Sequence, residues 1–182
     1  MTEPAELPQL RTPDQHAEGG LEVPDDVQVL EGTPSGGRRG VAVVVSRFNG
    51  EITSQLLTSA LEELDRAGVA RESVTVVPVP GAFELPLATL ALAKTRRFSC
   101  VVALGCVIRG ETPHFDFVAG EAASGLQLAA IETGVPVAFG VLTTENVEQA
   151  NERAGKGAEA ARTALEMADL FAQLRASAAQ AT

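Results

Sequence analysis

The chain has no tryptophan, no tyrosine, and only two cysteines and two histidines in 182 residues. Any core must therefore be built from aliphatic side chains, and with 45% hydrophobic residues there are enough of them for one domain of ordinary size. No apolar run approaches the ~20 residues needed to cross a bilayer. The N-terminus lacks the basic-then-apolar order of a signal peptide, so a cytoplasmic location is expected. Cys100 and Cys106 share one apolar run, where an extended strand separates them by about 3.3 Å per residue, too far for a disulfide. Two free thiols in a reducing compartment are expected, with no metal site.

Positive charge is also scarce. Fourteen basic residues face 24 acidic ones, a formal net charge of −10 that argues against nucleic acid as a partner. The acids are concentrated at the start: Glu3, Glu6, Asp14, Glu18, Glu22, Asp25 and Asp26 face only Arg11 within residues 1–26. With four prolines and no apolar period, this stretch is expected to be a disordered acidic tail, and residues 27–182 to form the folded domain.

From Val41 onward the pattern is regular. VAVVV (41–45) is a β-branched run of the kind buried on both faces of a sheet. TSQLLTSALEELDRAG then places Leu56, Leu57, Ala60, Leu61 and Leu64 at helical spacing, ending at Gly68. SVTVVPV (73–79) and the helix of ELPLATLALAKTRR repeat the unit, with Pro86 tolerated in the first turn. The strand SCVVALGCVI (99–108), a helix from about His114 to Thr133, the strand VPVAFGVL, and the helical stretches ENVEQANERAG and KGAEAARTALEMADLFAQL complete the series. Such alternation predicts a three-layer αβα sandwich on a parallel sheet of about four strands. A further short strand, VQVLE (27–31), has no helix of its own, and its unpaired apolar edge is expected to be covered by the sheet of a neighbouring subunit.

In sheets of this kind ligands bind beyond the carboxyl ends of the strands, at helix N-termini. The loops at that end read SRFNGEIT, PGAFELP, RGETPHFD and TTEN. Phe48 is either a loop anchor or an exposed ring on which a planar heterocycle stacks. Glu84, after Phe83, is either a helix-start charge or an acceptor for ligand hydroxyls. RGETPHFD has the character of an anion cradle and holds His114, whose residue type alone has an unperturbed pKa near neutrality. Arg109 reads as a structural ion pair, and Arg153 and Lys156 as groups able to neutralise a phosphate.

SRFNGEIT, VPGAFELP, GCVIRGETPHFD, FGVLTTEN and QANERAG, in this order and spacing, resemble the motifs of the lumazine synthase family, whose fold is flavodoxin-like. The likeness runs from about Val27 to the last helix. That family condenses 5-amino-6-ribitylaminouracil with 3,4-dihydroxy-2-butanone 4-phosphate, without a metal or organic cofactor, in the penultimate step of riboflavin biosynthesis. The resemblance implies that Phe48 stacks on the pyrimidine and that Ala82, Phe83 and Glu84 hold the ribityl chain. It further implies that Cys106, Val107 and Ile108 line the pocket, that Glu111, Thr112 and Arg153 bind phosphate, and that His114 transfers protons. Phe139 and Arg153 would reach in from a neighbouring subunit of a homopentamer, and riboflavin synthase is a candidate partner. The readings of different class are a non-catalytic flavin- or ribityl-binding module and a shell-forming protein.

One feature departs from the family. ERAG runs straight into KG, without the glycine- and lysine-containing stretch that often separates the last two helices, so Lys156 matches the family lysine only loosely. The shortened connection favours pentamers or pairs of pentamers over a sixty-subunit shell.

Overall fold

The computed structural model describes residues 21–180, so most of the expected acidic tail lies outside the described residues. Four strands, β1 (Val41–Ser46), β2 (Val74–Val79), β3 (Cys100–Ile108) and β4 (Val137–Thr144), form one sheet in the order β2-β1-β3-β4. All pairings are parallel, running from Val41↔Val74 and Val41↔Cys100 at one end to Ile108↔Thr144 at the other. Every residue of β1 is buried, as a central strand covered on both faces requires. The edge strands β2 and β4 carry exposed positions among their buried ones.

The pleat sends alternate residues to opposite layers. Val41, Val43 and Val45 pack with α1 (Gly50–Arg66) and α5 (Lys156–Gln180), while Ala42 and Val44 pack with α2 (Leu85–Lys94) and α3 (His114–Thr133). A short α4 (Val147–Glu152) precedes α5. On α1, Ile52, Leu56, Ala60 and Leu64 follow an i, i+4 stripe and are at most 4% exposed. Full burial of each leucine is worth about 2 kcal/mol. Gly134, at φ 64°, closes α3 in the left-handed conformation that glycine adopts without strain.

The three-layer αβα architecture is the expected one, with differences at the boundaries. Helix α1 begins at Gly50 rather than Thr53, because Asn49 turns the chain into the helix earlier. Strand β4 starts at Val137, after Pro136, and extends to Thr144 because its ladder follows β3 to Ile108. The strand expected at 27–31 is not formed in the single chain. Instead its last residue, Glu31, and the segment that follows are strapped along α5. Gln173 donates to the Glu31 carbonyl at 2.9 Å, the Thr33 N–H donates to the Asp169 carboxylate at 3.0 Å, and Arg39 pairs with Asp169 at 2.6 Å. Val27, Val29 and Leu30 remain between 43% and 52% exposed and pair with neither edge of the sheet. Among the described residues, no helix is long and apolar enough to cross a membrane.

Candidate active site

Three loops at the carboxyl end of the sheet build one concavity. In the first, the Arg47 and Phe48 N–H groups donate to Val79 O and Pro80 O at 2.8 and 3.1 Å, carrying the stitching of β1 to β2 past the ends of both strands. This leaves the Phe48 ring 70% exposed at the rim. In the second, Gly81 leads into a 3₁₀ turn, Ala82–Glu84, that runs directly into α2. Ala82 is buried and Phe83 is exposed. The Glu84 carboxylate folds back over Gly81, where an added Cβ would stand 3.1 Å from it.

The third loop follows β3. The Arg109 guanidinium pairs with Asp116 at 3.1 Å and with Glu145 at 2.9 Å, and lies 4.1 Å from the centre of the Phe115 ring. The bond to Asp116, then that to Glu145, raises its pKa further above the ordinary arginine value. Arg109 is thus the structural ion pair expected, fixing the start of α3 against the loop after β4. Helix α3 opens at His114 without a side-chain cap, leaving amides at its N-terminus for an anionic ligand.

Between these loops lies a cavity of about 550 Å³, within the range of small-molecule sites. Phe48, Ala82, Phe83, Glu84, Cys106, Val107, Ile108, Thr112 and His114 all line it, so residues from three separated motifs meet at one place. Glu111 is exposed and outside the lining. Phe139 and Arg153 line a second cleft of about 310 Å³ with Lys156, against β4 and α5. There the Arg153 guanidinium donates to Gln149 O at 3.0 Å, and Lys156 pairs with Glu159. The sequence reading missed Phe117 and Val118, which also line the first cavity. They stand three and four residues after His114, on the same face of α3, but the apolar residues of that helix are spread around it, so spacing alone did not mark them.

Both cysteines are free and buried. Burial in an apolar strand pushes the Cys100 thiol up to about 12 and the Cys106 thiol up to about 11, so both are neutral and unreactive at working pH, Cys100 in the core and Cys106 in the cavity wall.

Comparison with known proteins agrees with this geometry. The 6,7-dimethyl-8-ribityllumazine synthase family profile matches residues 39–172. Two proteins named 6,7-dimethyl-8-ribityllumazine synthase, from Yersinia pestis (strain Pestoides F) and Yersinia pseudotuberculosis serotype O:1b (strain IP 31758), are each 52% identical over 155 residues. The match covers 82% of this chain and 99% of theirs. A match of this extent, reaching all three loops of the cavity, places the chain in the 6,7-dimethyl-8-ribityllumazine synthase family.

Proposed function

We propose that the chain condenses 5-amino-6-ribitylaminouracil with 3,4-dihydroxy-2-butanone 4-phosphate to give 6,7-dimethyl-8-ribityllumazine, phosphate and water. The observation that carries this reading is the meeting of Phe48, Glu84 and His114, from three loops, around one cavity. The Phe48 ring supplies a face for the pyrimidine. The turn at Ala82 and Phe83 and the Glu84 carboxylate accept the ribityl hydroxyls, while Cys106, Val107 and Ile108 form an apolar wall. The uncapped start of α3, with Thr112 and Glu111 beside it, receives the butanone phosphate.

The amine attacks the ketone, and loss of water leaves an imine. Loss of a proton from carbon then expels phosphate, and ring closure releases a second water. Each step moves a proton, and an imidazole can both accept and donate one; the exposed position of His114 at the cavity edge supports proton transfer as its role. Holding the two substrates together supplies much of the remaining acceleration.

Phe139 and Arg153 sit in a cleft of their own, which supports the reading that the complete site takes them from the adjacent subunit of a ring, the pentamer being the proposed assembly. The exposed Val27, Val29 and Leu30 support pairing of that segment with a neighbour's sheet. Pairs of pentamers, rather than a sixty-subunit shell, are the proposed upper limit. The enzyme acts in the cytoplasm, and riboflavin synthase, which consumes the product, is the proposed partner. Subunit mixing tests the shared site. His114→Ala and Arg153→Ala subunits, each weakly active alone, are co-refolded in equal amounts. If the two residues serve one site from different chains, about a quarter of the sites are intact and activity returns to about that fraction of wild type. No gain on mixing refutes sharing.

A further inference from the structure

We infer that Asn49 is a positioning residue for the stacking platform: its side-chain amide ties the β1–α1 loop to the carbonyl of Cys106 and so holds the Phe48 ring over the cavity. The inference rests on the reading of Phe48 as the surface that receives the pyrimidine. Asn49 is the N-cap of α1, where an asparagine side chain ordinarily accepts a hydrogen bond from the second or third N–H of its own helix. Here it makes no such bond. Its backbone is left-handed, at φ 55°, a conformation that asparagine tolerates better than most residues. From it, Nδ2 donates to Cys106 O at 2.9 Å, 57 residues along the chain. A carbonyl only accepts, so the amide nitrogen must be the atom that faces it.

The bond falls where the sheet no longer does this work. The β1–β3 pairing ends at Val45↔Leu104, and Cys106 lies two residues farther along β3. Beyond that point Asn49 joins the β1 side to β3, while the Phe48 N–H joins it to Pro80. The helix start does not depend on the side chain, because the Asn49 carbonyl already accepts from the Ile52 and Thr53 N–H groups at 3.0 and 3.1 Å. A ring 70% exposed has little packing to fix its plane. Its orientation comes from the backbone, which is anchored at Phe48 itself and at the next residue. Binding to a ring already in place avoids the cost of ordering it.

The test compares two substitutions, each in the intact protein with and without the ring. Asn49→Gly keeps the left-handed backbone and removes the amide. Asn49→Asp also keeps the backbone and suits a helix N-terminus, but points a carboxylate at the Cys106 carbonyl. Both should raise KM for 5-amino-6-ribitylaminouracil, by about five- to tenfold for the loss of one partly buried hydrogen bond. The aspartate should be at least as damaging as the glycine, and KM for the butanone phosphate should stay within about twofold of wild type. In a Phe48→Ala background the effect of Asn49→Gly should vanish, because the ring it positions is gone. Wild-type behaviour of Asn49→Asp overturns the inference, since that is what a helix-start role alone predicts. Equally, an Asn49→Gly effect that persists undiminished without the ring overturns it. Phe48→Ala by itself reports on the stacking reading. If that variant raises KM for the pyrimidine and neither Asn49 variant does, stacking stands and the tether falls. If Phe48→Ala leaves that KM unchanged, the stacking reading fails and the inference falls with it.

Discussion

Gly157 lies in the first turn of α5, where that helix crosses α1, and the approach leaves no room for a side chain. A Cβ at this position would stand 1.9 Å from the Leu56 carbonyl oxygen and 2.5 Å from Ser59 Oγ. Since real Cβ contacts essentially never fall below 3.0 Å, Gly157→Ala forces the helices apart by about 1 Å at this end. The obstacle is backbone, which cannot rotate away, and the surrounding Leu56, Ala161 and Leu165 are fully buried. Overpacking of this kind costs up to about 3 kcal/mol, and better helix propensity returns at most about 1 kcal/mol, leaving a net loss of about 2 kcal/mol. For a chain of this size that lowers the melting midpoint by about 4–8 °C. The assay is thermal unfolding at matched protein concentration, so that assembly does not shift the comparison. Gly155→Ala is the control, because an added Cβ there meets nothing within 4 Å, and it should melt within about 1 °C of wild type. A Gly157→Ala protein that also melts within about 1 °C of wild type refutes the close crossing.

Steady-state kinetics separate the roles of the site residues. His114→Ala should lower kcat by about 100-fold or more with the pyrimidine's affinity nearly intact, and an unchanged kcat removes His114 from the chemistry. Arg153→Ala should weaken the butanone phosphate by about tenfold, through loss of one charge-assisted contact, while leaving pyrimidine affinity alone. If only the pyrimidine weakens, the assignment is misplaced. Deleting residues 1–25 should preserve assembly and activity, whereas deletion through Glu31 removes the exposed 27–31 segment and should reduce both, as light scattering and the same assay report. Stability should also fall in alkali. Burial raises both thiol pKa values in the native state, so their contribution is complete below the ordinary thiol value of 9.0 and is lost as pH rises towards 11 to 12. With no tyrosine in the chain, no phenol titrates in the same range. Urea midpoints that stay flat above about pH 9 contradict this reading.

The sheet was legible because its central strands are unbroken β-branched or small apolar runs. VAVVV and CVVALGCVI can lie only between two covered faces, and the helices between them carry their own period. The loops of the first cavity were legible by position, since the carboxyl ends of parallel strands are where helix N-termini and glycine turns converge. Two kinds of feature were not. Phe117 and Val118 sit inside a helix whose apolar residues are spread around it, so nothing in their spacing separated a cavity face from a core face. The tether from Asn49 to Cys106 joins residues 57 apart, and a side chain that forgoes its local cap for a distant carbonyl leaves no trace in local pattern. The segment 27–31 had the composition of a strand. In the single chain it pairs with neither edge strand of the sheet, β2 nor β4, and composition alone does not say which edge a strand will find.

The most direct test of the central claim is to mix the purified, assembled protein with 5-amino-6-ribitylaminouracil and 3,4-dihydroxy-2-butanone 4-phosphate. Lumazine absorbance and fluorescence are followed while free phosphate is titrated in parallel. The account predicts lumazine at a rate far above the uncatalysed mixture, with one phosphate released per lumazine and the rate collapsing in His114→Ala. A folded, assembled protein that leaves the uncatalysed rate unchanged contradicts it.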